Sequence, residues 1–95
     1  MSHASAESLT PADERRVRAH AGELQRLGDR HGIDQLRYAS PGRLLGRVAA
    51  DRDLFDVFAF QREASELLGA EVELFSDAVL AHEHVSPDLA VARTL

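Results

Sequence analysis

Residues 38–58 read YASPGRLLGRVAADRDLFDVF, and the fold turns on where a strand ends and a helix begins within them. Asp51-Arg52-Asp53 sets two carboxylates one residue apart. On a strand, alternate side chains share a face. An Asp-x-Asp there aims both carboxylates at one divalent cation, as phosphoryl and nucleotidyl transfer require. At a helix start the same residues cap free backbone N–H groups and complement the dipole. Ser40-Pro41-Gly42 is turn chemistry. Residues 43–49, RLLGRVA, can form a strand, in which Gly46 weakens the pairing or marks a close approach. Asp53 with Asp56 three residues later is a carboxylate variant of the capping box. Leu54, Val57, Phe58, Phe60, Ala64, Leu67 and Leu68 then make a broad apolar face that stops at Gly69.

Working outward, Thr10-Pro11-Ala12-Asp13 reads as a helix start, with Thr10 as cap and Pro11 at the first helical position. Val17, Ala21, Leu24 and Leu27 recur at helical steps, and Gly32 ends the helix. Residues 34–39, DQLRYA, place Leu36 and Tyr38 on one face of a half-buried strand, so a β-hairpin follows with residues 43–49. Residues 71–75, EVELF, alternate, with Val72 and Leu74 one way and Glu71 and Glu73 the other. Ser76 or Asp77 caps a short turn through Leu80, and Ser86-Pro87-Asp88 opens a last helix through Leu95. The expected order is α-β-β-α-β-α: an α+β domain over residues 10–95, preceded by a flexible stretch at 1–9. Three strands form a mixed sheet, and the helices pack mainly on one face.

Composition narrows the function. With 95 residues and 44% apolar content, the chain suits one small globular domain. It has no cysteine, which excludes disulfides and thiolate metal sites. No apolar run approaches the roughly 18 residues that cross a bilayer, and MSHASAESLTPADERR lacks the apolar middle of a secretion signal. A cytoplasmic protein with no membrane partner is expected. Residues 1–50 hold eight arginines against six carboxylates, and residues 51–95 three against ten. That acidic balance argues against a nucleic-acid partner and suits a basic protein surface or a divalent cation. His82-Glu83-His84 offers two imidazoles but no third ligand. Three phenylalanines as close as Phe55, Phe58 and Phe60 cannot all face one way on a helix. At least one therefore escapes the chain's own core and points to a partner surface.

HGIDQLRY (residues 31–38), DLFDVFAFQREASELLGAEVELFSDAVL (residues 53–80) and the spacing between them resemble the minimal nucleotidyltransferase family, over roughly residues 12–81. In that family a helix leads into a strand, a Gly-Ser loop with a nearby arginine follows, and an Asp-x-Asp strand comes next. A Leu-Phe-Asp helix ends in Leu-Gly, and a further strand brings a third carboxylate. The resemblance implies a polymerase-β-like fold. It also implies that many relatives are antitoxins paired with HEPN-type RNase toxins, acting by binding the toxin, by adding AMP to it, or both.

Two alignments compete over residues 38–58. One sets Ser40 and Arg43 in the nucleotide-binding loop and Asp51 and Asp53 on the metal pair. With Glu73 as third carboxylate it describes an active enzyme that uses Mg2+ and ATP. The other anchors Leu54-Phe55-Asp56 on the family's helix, makes residues 44–48 the metal-binding strand, and drops Pro41-Gly42-Arg43 onto the ligand positions. The second is preferred, because only it keeps three strands in so small a domain. It implies a degenerate transferase site, no cofactor, and a protein that works by binding. The expected partner is a HEPN-like toxin, with self-association as a structural or regulatory homo-oligomer the alternative.

Overall fold

The computed structural model describes residues 9–95; the flexible stretch expected at residues 1–9 lies outside it except for Leu9, which is exposed. The elements are α1 (Glu14–Ala19), α2 (Ala21–Arg30), β1 (Ile33–Ser40), β2 (Arg43–Val48), α3 (Leu54–Leu68), β3 (Glu73–Ser76), a 3-10 turn (Asp77–Ala81), α4 (Pro87–Ala90) and β4 (Arg93–Thr94). Four strands form one sheet in the order β3-β2-β1-β4. β1 runs antiparallel to β2 and β4, and β2 runs parallel to β3.

The expected hairpin is β1–β2, closed by Pro41 and by Gly42 at φ 76°. Its register slips between Asp34 and Arg37, where Gln35 adopts φ 52°. This bulge sets two residues of β1 against one of β2. It lets Ile33 and Leu36, three apart, both turn into the core, where they are 1% and 2% exposed. Residues 43–48 are therefore strand, and the helix begins only at Leu54. Asp53 caps it: its Oδ1 accepts from the N–H groups of Phe55 (3.0 Å) and Asp56 (3.4 Å), and Asp56 Oδ2 accepts from Asp53 N–H (3.3 Å). Gly69 ends it in the left-handed conformation at φ 62°.

The two ends of the chain differ from expectation. Residues 10–12 do not open the first helix. They lie alongside the start of β3, with Glu71 N–H bonded to Thr10 O (2.8 Å) and Ala12 N–H to Glu71 O (3.0 Å). Asp13 is the cap instead, accepting from Arg16 N–H at 2.9 Å. Proline's fixed φ suits an extended segment as well as a first helical turn, and the sheet margin decides in favour of the former. The helix is also broken at His20. A ring nitrogen of His20 bonds the Arg16 carbonyl (3.0 Å), while its backbone N–H goes to Val17 O (3.1 Å).

At the C-terminus the last helix stops at Ala90 rather than Leu95, and a fourth strand replaces the expected three-stranded sheet. Arg93 and Thr94 pair with Tyr38 and Arg37, and Leu95 N–H bonds Leu36 O (3.1 Å). Leu89 is the one residue of α4 that is buried. So short a helix gains little, and the open edge of β1 offers a ladder that helix propensity does not outweigh.

Helices α1 to α3 cover one face of the sheet. Val17, Leu24, Leu27, Val57, Phe60, Ala64 and Leu68 pack on Ile33, Leu36, Leu44, Val72 and Leu74. The alternation of β2 and β3 sends Arg43, Leu45, Glu73 and Phe75 to the other face. There Leu45 (0% exposed) and Leu89 of α4 (4%) are buried, with α4 packed on β1 and the 3-10 turn on β2. Along the outer edge of β3, Leu74 N–H is taken by Gln61 Oε1 (2.8 Å) and Val72 N–H by Ser65 Oγ (3.1 Å), both from α3.

Candidate functional site

The second face of the sheet gathers the polar residues that the sequence singles out at the hairpin. Ser40 and Arg43 face each other across the β1–β2 turn. The parallel register sets Glu73 opposite Arg43 and Phe75 opposite Leu45. The Arg43 guanidinium lies 4.6 Å above the centroid of the Phe75 ring, a cation–π distance. Asp88, brought over this face by α4, closes the group. Its Oδ2 accepts from Ser40 Oγ (2.6 Å) and Arg43 Nε (2.8 Å), and Oδ1 lies 3.5 Å from Arg43 Nη2. An open pocket of about 370 Å³ adjoins it, lined by Arg43, Phe75, Val79, His82 and Leu89 among others.

The Ser40 hydroxyl, and after it the Arg43 guanidinium, hold the Asp88 carboxyl below its usual value against the opposing effect of burial. A carboxylate with a depressed folded pKa stabilises the fold above its unfolded value, and that stabilisation is lost as pH falls through the folded one. The contribution is thus present above about pH 4 and disappears below it. Asp88→Asn is expected to be less stable than the parent at neutral pH and to lose less on acidification. Urea midpoints across that range measure it; parallel acid limbs for the two proteins would contradict the geometry. Glu63, held down mainly by His31, and Asp34, held down mainly by Arg47, add to the same limb.

The other candidates are dispersed. Asp51 is exposed in the turn after β2, and Asp53 is committed to capping α3. Glu73 sits level with Arg43, at the opposite end of β2 from that turn. The five-residue step from Arg43 to Val48 alone spans about 16 Å, so Asp51 and Asp53 do not meet Glu73 around one ion. Among the described residues no group of three or more His, Cys, Asp or Glu side chains is placed to hold a metal. His82 and His84 are exposed. Phe55 and Phe58 are 81% and 55% exposed, with Leu54 at 66%, whereas Phe60 is fully buried. Phe60 therefore belongs to the core and not to a partner surface; a helical face three to four residues wide turns it inward with Val57 and Ala64.

Asp88 was legible only as a helix-start residue. Nothing local marks it as the acceptor for side chains more than forty positions away. The same holds for His31, whose Nε2 lies 3.1 Å from Glu63 and Nδ1 4.0 Å from Asp56, tying the end of α2 to α3. Beside them a groove of about 800 Å³ runs between α2 and α3, lined by Leu27 and Leu67 and by arginines and glutamates. It brings charges of both signs together and no nucleophile.

Two helices leading into a hairpin, a crossover helix and a parallel strand define a small α+β domain of nucleotidyltransferase-like fold. A solved structure described as a "putative minimal nucleotidyltransferase" is similar to the chain, with a TM-score of 0.68 over 87% of this chain and 96% of that one, at 23% sequence identity. No protein-family model matches the chain, and no curated protein matches it. The likeness establishes the fold. No helix is long and apolar enough to cross a membrane among the described residues.

Proposed function

We propose that this chain is a binding protein built on a nucleotidyltransferase-like scaffold, acting as an antitoxin that sequesters an RNase toxin of the HEPN type. The observation that carries the reading is the ion pair of Arg43 with Asp88, joined by Ser40. In the alignment that keeps residues 43–48 as strand, Arg43 stands where a metal ligand belongs. A guanidinium repels Mg2+ and donates no lone pair to it. The Ser40 hydroxyl and the Arg43 side chain, which the competing alignment assigns to nucleotide, are already bonded to an internal carboxylate. These residues do not fit a magnesium-bound triphosphate, and without the cation the charge that develops in phosphoryl transfer goes unneutralised. A surface that binds, rather than a centre that reacts, is what remains. Side chains of α3 take the outward amides of Val72 and Leu74, which turns binding away from that edge of the sheet and toward the helical surfaces.

Titration calorimetry with Mg2+ and ATP is expected to give no measurable heat. Co-expression with the product of the adjacent gene is expected to yield a complex that forms without nucleotide and survives chelation. Glu73→Gln is expected to leave the complex and the suppression of nuclease activity unchanged. ATP binding at micromolar affinity that Asp53→Asn abolishes would establish the competing reading, an enzyme that adds AMP to its partner through Asp51, Asp53 and Glu73.

A further inference from the structure

Residues 86–95 are fastened lightly for a segment that completes a sheet. Of these ten residues only Leu89 is buried. Helix α4 is four residues long, and its cap Ser86 makes no side-chain bond. Strand β4 has two residues, both exposed. The link that leads into the segment, His82-Glu83-His84, is exposed throughout. Little buried surface therefore offsets the entropy of ordering these residues, and a segment of this kind opens before the domain unfolds. Its fastenings are nonetheless specific. Asp88 accepts from Ser40 Oγ and Arg43 Nε. Leu89 enters a slot shared with Phe75 and Val79. Arg18 Nη1 donates to Thr94 O at 2.9 Å. Leu95, half-buried against the main core, donates its N–H to Leu36 O at 3.1 Å.

Every receiving group lies within residues 18–79, before the exposed link. The segment thus stands to the rest of the chain as a tethered ligand stands to its site. We propose that residues 86–95 are a releasable strap, an internal ligand that holds shut a peptide-recognition site on the second face of the sheet and the outer edge of β1. The strap spells out the chemistry of the partner: a carboxylate one residue before a leucine-sized side chain, followed by an extended stretch. The carboxylate takes the clamp of Ser40 and Arg43, where charge-assisted bonds fix its orientation. The aliphatic side chain takes the slot beside Phe75 and Val79. The extended stretch adds to the edge of β1 through main-chain bonds. A short tether gives the strap an effective concentration on the order of millimolar, so a partner displaces it only with better contacts or once the strap is loosened. Release frees Ser40 and Arg43 for a carboxylate but supplies no ligand for Mg2+, so the toxin reading stands or falls separately.

Two measurements on the full chain test it. In native-state hydrogen exchange the amides of Leu89 and Leu95 should exchange through one shared opening, at least about 100-fold more frequent than that of the β2 amides and with a shallower urea dependence. In the second, a fluorescently labelled synthetic peptide of residues 86–95 is titrated with the full chain and followed by anisotropy. It should bind the Asp88→Asn chain at least about tenfold tighter than the parent, because the variant's own strap has lost its clamp. The same peptide carrying Asp88→Asn should bind that chain about tenfold more weakly, and Arg43→Gln in the receiving chain should remove the preference for the acidic peptide. Leu89 exchanging only with global unfolding, a peptide that binds parent and variant alike or neither at about 1 mM, or displacement of the peptide by ATP as readily as by its own unlabelled form would each overturn the proposal.

Discussion

Phe60→Ala is expected to lower the unfolding free energy by about 3–5 kcal/mol. Phe60 is fully buried, and it lies in the cluster that joins α3 to α2 and the sheet. Truncation removes the transfer energy of the ring and leaves a cavity that the rigid sheet beneath cannot close. A domain of this size has a total stability of roughly 5–10 kcal/mol, so the variant should be close to unfolding at room temperature. Urea denaturation at low protein concentration measures the loss. Phe55→Ala and Phe58→Ala, made at exposed positions of the same helix, should stay within about 0.5 kcal/mol of the parent. A loss below about 1 kcal/mol at Phe60 would show that α3 presents a different face to the sheet.

Gly28→Ala tests the junction between α2 and β1, and two effects of opposite sign compete there. Intrinsic helix propensity favours alanine over glycine by about 1 kcal/mol. A Cβ at Gly28, however, would stand 2.4 Å from the carbonyl oxygen of Ile33. That neighbour is backbone at the start of a buried strand and has no flexible end to move aside. Overpacking of this kind costs about 1–3 kcal/mol and outweighs the propensity gain. Gly22→Ala in the same helix is the control. Its Cβ would meet nothing closer than Arg26 Nη1 at 3.7 Å, so it should be neutral or stabilising by up to about 1 kcal/mol. If both substitutions stabilise, the tight approach of α2 to β1 is wrong.

What could be read from the residues alone divides along a physical line. The hairpin, the start of α3 at Asp53 and its end at Gly69 were legible, because turn chemistry, caps and helical periodicity act within a few positions. The choice between strand and metal loop for residues 43–48 was legible for a related reason: Leu54-Phe55-Asp56 leaves no room for another strand. The extended course of residues 10–12 was not, since Pro11 is compatible with both conformations and its partner Glu71 is sixty residues distant. Neither was β4, whose two residues carry no strand pattern and become a strand only because the edge of β1 is free. Gln35 shows no glycine or asparagine at its left-handed position, so the bulge left no mark. At the candidate site Ser40 and Arg43 could be named, but the carboxylate that binds them could not. Asp88 joins them from the opposite end of the chain, through a fold and not through a motif.

The bonds from Gln61 and Ser65 to the outermost strand carry a consequence for how the protein behaves in bulk. Amides that would otherwise nucleate cross-β growth are spoken for by the chain's own helix, and at the far margin β4 is only two residues long, too short to template a growing sheet. Concentrated solutions should therefore resist gelling and thread formation, and recovery from denaturant should be limited by the folding of single chains and not by their entanglement.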